Sequence, residues 1–451
     1  MTSQPQPTKP GRTAWVRAKA YPNGSTNSVR EDVLTALGVL KVATADQLHR
    51  LLRSHLSSNK SIRAALLDLQ LNGLTASDGN TAARHKTWRL DGPAGLDAAA
   101  HVLELARSDM GGTARGAGRT GAPHAMAVNE TILAFVRGGT TDGATGGIGM
   151  VTSWSTETEF TLPGGKRKVR PDAVLQAPEI GMPVLMVEVD RSTMAPARVA
   201  AKLPAYRELF LRQVRDYSPT TPDRTTAWWR QAYPGHTRDG FPPIALVVTG
   251  TGPQALTNRL QAIYDLSREY FLPRRRKDQY GEDSWCDYDD AIPVIATTLE
   301  LLQQYGPMGE VWWRFGRADH HLSLLDALED WDTKAEYDER ARIRSEEIAA
   351  ENRRKIEAKE KKEKERIARG CRNCHQPVEE WRRRYLGDNG EDPLCFDCQE
   401  EELAGRRPKA EAEAEKAAEE TAEQPAEEPK KEHTWLQRVF KTDFSPDRDP
   451  W

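Results

Sequence analysis

The chain has no run of eighteen apolar residues, and without one no helix is long and greasy enough to span a bilayer. Its N-terminus has no apolar core of the kind a secretory signal needs. Net charge is nearly absent as well, −3 over 451 residues, so the overall balance selects no partner and only the distribution of charge is informative. Cysteine is scarce. Four of the five cysteines fall in two pairs, Cys371-Arg372-Asn373-Cys374 and Cys395-Phe396-Asp397-Cys398. That spacing excludes a disulfide framework and reads as metal binding in a reducing compartment, so the expectation is a cytoplasmic protein with no membrane partner.

What is present is length for two or three domains. Residues 1–28 are rich in Pro, Thr, Ser and Gly and carry Lys9, Arg12, Arg17 and Lys19, which predicts a disordered arm. Residues 29–106 show three short amphipathic patterns. The second opens at Thr44, a good N-cap, and the third ends at Asn72-Gly73. Leu74-Thr75-Ala76 and Thr87-Trp88-Arg89-Leu90 flank a polar tip and read as a hairpin. Three helices followed by a hairpin is the order of a winged helix-turn-helix. Asn59, Lys60 and Arg63 sit at the start of the third helix, and Arg84, His85 and Lys86 in the wing, where such a module meets phosphates and base edges. A protein-interaction module with the same core is the competing reading. Residues 107–123 are glycine-rich and basic and predict a linker.

Residues 124–331 alternate helix and strand patterns: a helix from His124 to Val136, a strand pair over 152–162 and 166–176, and a strand at Pro183–Asp190 apolar enough to be buried on both faces. Then come a helix over 194–214 bent at Pro204, a strand at 244–249, a helix to Phe271, and an edge strand at 292–296 marked by Pro293. Residues 332–370 are dense in Glu, Lys and Arg and predict a solvated single helix. Residues 371–398 read as a zinc ribbon with Cys371, Cys374, Cys395 and Cys398 as four thiolate ligands of a structural Zn²⁺. Arg382, Arg383 and Arg384 lie between the knuckles. Residues 399–451 form an acidic Ala/Glu tail, expected to be disordered, with a short amphipathic patch at 434–440.

The densest chemistry is at Arg170–Lys202. Asp172 opens one apolar strand, and the next ends in Glu188 and Asp190, which strand alternation puts on one face. Three converging carboxylates are costly unless a cation neutralises them. The bland alternative is strand-end carboxylates paired with Arg170 and Arg191.

Arg170-Pro171-Asp172, then Glu188-Val189-Asp190-Arg191-Ser192-Thr193, then Lys202 and Tyr206, resembles the core of the PD-(D/E)XK nuclease-like fold. With the winged helix ahead of it and the His124…Val128-Asn129 helix start, the arrangement resembles the replication-relaxation family of bacterial plasmids and mobile elements. The resemblance covers roughly residues 29–270. It implies a multidomain α/β protein: N-terminal winged helix-turn-helix, central PD-(D/E)XK-like mixed α/β domain, charged helix and C-terminal zinc ribbon.

The resemblance also implies DNA as partner, a role in plasmid replication, relaxation or transfer, and Mg²⁺ or Mn²⁺ on Asp172 and Glu188 for phosphodiester cleavage, as in a nickase. Glu130 would complete the metal shell or orient water, and Arg170 would meet DNA. The lysine usual two residues after the second acid is replaced by Asp190. Either Lys202 supplies the cation from the next helix, or Asp190 is a third ligand, or the site only grips DNA. A non-catalytic adaptor is the alternative function, recruiting replication or conjugation proteins through the zinc ribbon and charged helix.

Overall fold

The structure is a computed structural model and describes residues 20–110, 112, 122–216, 225–235, 240–278, 281, 284–317, 320–378 and 394–405. The arm over 1–19, most of the expected linker, Arg382–Arg384, and the tail beyond 405 with its patch at 434–440 lie outside them. The chain divides into two compact units at Trp331/Asp332. No helix among the described residues is long and apolar enough to cross a membrane.

The first unit opens with α1 (Asn27–Leu40), β1 (Val42–Thr44), α2 (Ala45–Leu52), α3 (Lys60–Leu71), and the hairpin β2 (Thr75–Asn80) and β3 (Lys86–Leu90), followed by α4 (Gly92–Leu103). The three strands form an antiparallel sheet in the order β1-β3-β2. Local chemistry sets these boundaries. Thr44 caps α2 in a capping box: its hydroxyl accepts from Gln47 N at 3.1 Å and its own N–H donates to Gln47 Oε1 at 3.3 Å. Gly73, at φ +69°, turns the chain after α3.

The expected arm ends sooner than residue 28. Asp68 of α3 is fully buried and accepts four hydrogen bonds, from Asn23 N (2.9 Å), Asn23 Nδ2 (2.8 Å), Ser25 N (3.1 Å) and Ser25 Oγ (2.5 Å). These tie residues 23–25 to α3. Burial alone would raise the Asp68 carboxyl, but the bonds from Ser25 and Asn23 outweigh it and hold it down at about 2. A carboxyl lowered in the folded state contributes stability that is whole above the ordinary value of about 4 and is lost as pH falls towards 2. Asp68→Ala is expected to cost roughly 2–3 kcal/mol at neutral pH, the usual loss for a buried charge-assisted group. It should also flatten the acid limb of stability between pH 4 and about 2. Denaturant midpoints across that range check both, and an unchanged midpoint at pH 7 would show that the clamp contributes nothing.

The chain continues with α5 (Ala122–Arg137), β4 (Trp154–Thr156), the small pair β5 (Phe160–Thr161) and β6 (Lys168–Val169), β7 (Ala173–Ala177) and β8 (Met182–Asp190). Then come α6 (Pro196–Ala200), α7 (Lys202–Phe210), β9 (Gln213–Arg215), β10 (Thr225–Ala227), α8 (Trp228–Ala232), β11 (Ile244–Val248) and α9 (Pro253–Phe271). The unit ends with the hairpin β12 (Arg274–Lys277) and β13 (Ser284–Asp287), then β14 (Val294–Thr298), α10 (Leu299–Tyr305), β15 (Trp313–Arg314) and α11 (Leu324–Leu328).

Six strands make one mixed sheet in the order β15-β14-β11-β8-β7-β4, in which β8, β11 and β14 run parallel. Alternate residues of β8 face opposite cores. Leu185, Val187 and Val189 pack with α5, whereas Val184 and Met186 pack with α6, α7 and α9.

Three expectations are corrected. The edge strand near Pro293 is internal: β14 lies between β11 and β15, because Pro293 precedes the strand and contributes its carbonyl to Ile244 N at 2.8 Å. The helix over 194–214 is two helices followed by a strand. Its break falls at Ala201 because the Pro204 ring would meet the carbonyl four residues earlier, at Ala200. Finally, residues 29–106 and 124–331 share a core. Val33, Leu37 and Leu48 belong to the same buried cluster as Ile132, Phe135, Trp154 and Val187. Buried bonds cross the seam, from Asn129 Nδ2 to Val42 O (2.7 Å) and from Thr156 Oγ1 to Val39 O (2.5 Å).

The second unit carries α12 (Lys334–Arg369), a 36-residue helix studded with pairs such as Arg342–Glu346 (2.8 Å) and Lys355–Glu351 (2.7 Å). A loop containing Cys371 and Cys374 follows, and later α13 (Phe396–Gly405).

Candidate functional sites

Pairing of β7 with β8 puts Ala173 opposite Val187, which brings Asp172 beside the C-terminal half of β8. Asp172 Oδ2 accepts the Val189 N–H at 2.8 Å. Its Oδ1 lies 3.0 Å from Nε2 of His124, on the first turn of α5. Glu188, almost wholly buried, is held from α7: Oε2 by the Lys202 ammonium and Oε1 by the Tyr206 hydroxyl at 2.5 Å. The Lys202 ammonium, from the first residue of α7, thus stands at Glu188. Neither Arg170–Asp172 nor Arg191–Glu188 pairing occurs; the partners are His124 and Lys202 instead.

The charges interlock. Burial, and then the negative charge of Asp172, push the Glu188 carboxyl up to about 7, against the pull of Lys202 and Tyr206. Burial would lower Lys202, but Glu188 and Asp172 together outweigh it and keep the ammonium charged above its ordinary value. Burial works against the Asp172 anion too. The His124 hydrogen bond and the Lys202 charge prevail and hold that carboxyl low. His124 is raised in turn by its bond to Asp172. With its side chain 45% exposed, His124 is the site's face to solvent.

Two expected members do not belong. Asp190 shares the Glu188 face but is paired away from Lys202 and His124: Arg259 of α9 grips it through Nε and, at 3.0 Å, Nη2, and Ser192 N donates at 3.0 Å. Ser192 sits at φ +60° to make that turn. Glu130, also on α5, has its partners elsewhere. Arg50 clamps it with two bonds of 2.8 and 2.6 Å, and Gln47 (2.9 Å) and Gln303 (3.2 Å) add two more. Position 130 follows position 124 by six residues, nearly two helical turns, and so lies well along the helix from the His124 end. Sequence reading missed His124 as a site residue although its helix start was noticed. Its position near the N-terminal end of α5, ahead of a strand beginning with Asp172, was the available signal.

Also in the first unit, α3 and the hairpin enclose a cleft of about 300 Å³ lined by Asn59, Arg63, His85, Lys86, Asp46 and Trp88. Three expected DNA-facing residues, Asn59, Arg63 and Lys86, therefore meet around one space. Lys60 and Arg84 are exposed but do not line it, and Arg84 takes φ +61° at the hairpin tip. Arg170 is exposed two residues before Asp172.

In the second unit, the sulfurs of Cys371, Cys374, Cys395 and Cys398 all lie within 4.8 Å of one another. Among the described residues, this is the group of three or more His, Cys, Asp or Glu side chains close enough together to hold a metal ion. Burial raises the Cys371 thiol, but backbone N–H groups of Cys374, Cys395 and Asn373 point at its sulfur and bring it down to about 6. Amides aimed at sulfur favour the thiolate, the form that binds metal. Four cysteine sulfurs this close together fit Zn²⁺ with closed tetrahedral coordination.

Residues 34–221 match the family model described as replication-relaxation. No curated protein and no solved structure matches the chain.

Proposed function

We propose that the protein, whose residues 34–221 match the replication-relaxation family model, binds DNA during replication of a plasmid or mobile element. The first part of the first unit acts as a winged helix-turn-helix, with α3 as recognition helix and the β2–β3 hairpin as wing. The observation that carries this reading is the cleft in which Asn59, Arg63, His85 and Lys86 converge. Cations on those two elements are placed to neutralise phosphates on either side of a groove. A Lys60→Ala/Arg63→Ala variant is expected to weaken binding of a duplex and to reduce the slope of log affinity against log salt by about two, one per lost phosphate contact. Gel-shift titrations at several salt concentrations measure this, and an unaltered slope would move the DNA footprint elsewhere.

A second reading, metal-dependent phosphodiester cleavage, is favoured by the Lys202 ammonium at Glu188 beside Asp172. Two carboxylates on neighbouring strands suit a hard divalent cation that keeps several of its waters. Asp172 and Glu188 would hold it. Such an ion, when bound, would supply polarisation of a phosphate oxygen and a more acidic water. The chain's own groups do the rest. Lys202 carries positive charge to the place where a phosphate's negative charge grows, Tyr206 fixes Glu188 in orientation, and His124 orients Asp172 and meets solvent.

A further inference from the structure

The cleft between α3 and the wing does not end at the wing. A second cleft, of about 320 Å³, adjoins it and shares Asp46 and His85 with it. That second cleft is lined by Thr81, Ala82 and Ala83 of the wing tip on one side and by Pro123 and Met126 of α5 on the other. His124 lies between those two α5 residues and touches Asp172 at 3.0 Å. Less than one helical turn, roughly 5 Å, thus separates the α5 residues that face the wing from the one that reaches the carboxylate site.

The two ends cannot swing apart. They share a hydrophobic core, and α2 is bolted to α5 by the Arg50–Glu130 bonds and by Gln47, with Asn129 on Val42 O beside them.

We propose that α3, the wing tip, the first turn of α5 and the exposed Arg170 form one continuous track for a single DNA molecule, which passes from the recognition cleft over His124 to the Asp172–Glu188–Lys202 site. The proposal rests on the DNA-binding reading and adds to it a fixed register. Whatever the central site does to a backbone, it does at a constant distance from the segment held by α3. Arginines and lysines lie at intervals along the track, Arg63 and Lys86 in the first cleft, Arg50 in the second and Arg170 beyond, with Asp46 and Glu130 among them. Glu130, expected to serve the chemistry, instead bonds Arg50 and Gln47 of α2 and Gln303 of α10.

The experiment uses the full zinc-loaded chain and a duplex of roughly two helical turns. Stoichiometry and the salt slope of binding are measured for the wild type, for Lys60→Ala/Arg63→Ala and for Arg170→Ala. One duplex per chain is expected, with Arg170→Ala lowering affinity for that duplex and reducing the slope by about one. Two duplexes per chain, or an Arg170→Ala variant that binds as the wild type does while Lys60→Ala/Arg63→Ala is weakened, would overturn the track and leave the DNA-binding reading standing. If neither variant changes binding, the DNA reading itself falls, and the track with it.

Discussion

Stripped of zinc by a strong chelator, the protein is expected to lose the structure of residues 371–378 and 394–405 while the first unit keeps its melting transition. The reason is the size of the core beneath the four cysteines. It consists of Cys371, Val378 and Leu394, with Cys395 and Cys398 packed against them. Three buried side chains offset only a small part of the entropy of ordering the loop and α13. A structural zinc site supplies about 10–16 kcal/mol of binding free energy at neutral pH, and in a module this small that is its folding free energy. Cys371→Ser should have the same outcome, since it removes the most buried ligand and the sulfur on which three amides converge. The readouts are release of one zinc per chain to a chromogenic chelator and appearance of protease cuts around positions 371–405. Protein purified under reducing conditions with no zinc, yet fully protected there, would defeat the assignment.

The second large effect concerns the carboxylate site. If it cleaves DNA, Glu188→Gln and Lys202→Ala should each lower metal-dependent nicking of supercoiled DNA by at least about 100-fold, the range typical for loss of a group acting on the transition state. Glu188→Gln keeps a partner for the Tyr206 hydroxyl, so its loss of activity would report charge and not collapse of the fold. Asp190 and Glu130 should behave otherwise. Asp190→Asn leaves the largely buried Arg259 guanidinium without its anion, and breaking such a pair costs about 3–5 kcal/mol. The expected result is therefore a marked loss of stability, with turnover retained in the folded fraction. Glu130→Gln should leave turnover within a few-fold. Nicking that survives Glu188→Gln would remove the chemistry from this site, and an Asp190→Asn variant that is fully stable yet inactive would return Asp190 to it.

Much of the fold was legible from short-range rules. The capping box at Thr44 and Gln47 and the left-handed Gly73 each lie within a few residues of the boundary they set. The alternation that puts Glu188 on the face of Met186 and Val184 is a property of any strand. Where sequence reasoning erred, a single residue was read without its neighbours. Pro293 was taken as a mark of an edge, but a proline just ahead of a strand withholds no ladder N–H. The glycine-rich stretch at 107–123 was taken as a domain boundary, whereas the apolar faces on its two sides bury each other.

The sequence alone determined which carboxylates could share a face, which cysteines could share an ion, and where cations open α3 and line the β2–β3 hairpin. These follow from local periodicity and spacing, which any folded state must obey. Only the tertiary structure decided how the charges are matched. His124 meets Asp172 across 48 positions, Arg259 meets Asp190 across 69 and Arg50 meets Glu130 across 80. A buried carboxylate must find a partner, but nothing local says which cation will stand beside it. That choice is made by the packing of α5, α7 and α9 on the sheet. It stood His124 beside Asp172 and Lys202 beside Glu188, and gave Asp190 to Arg259 and Glu130 to Arg50.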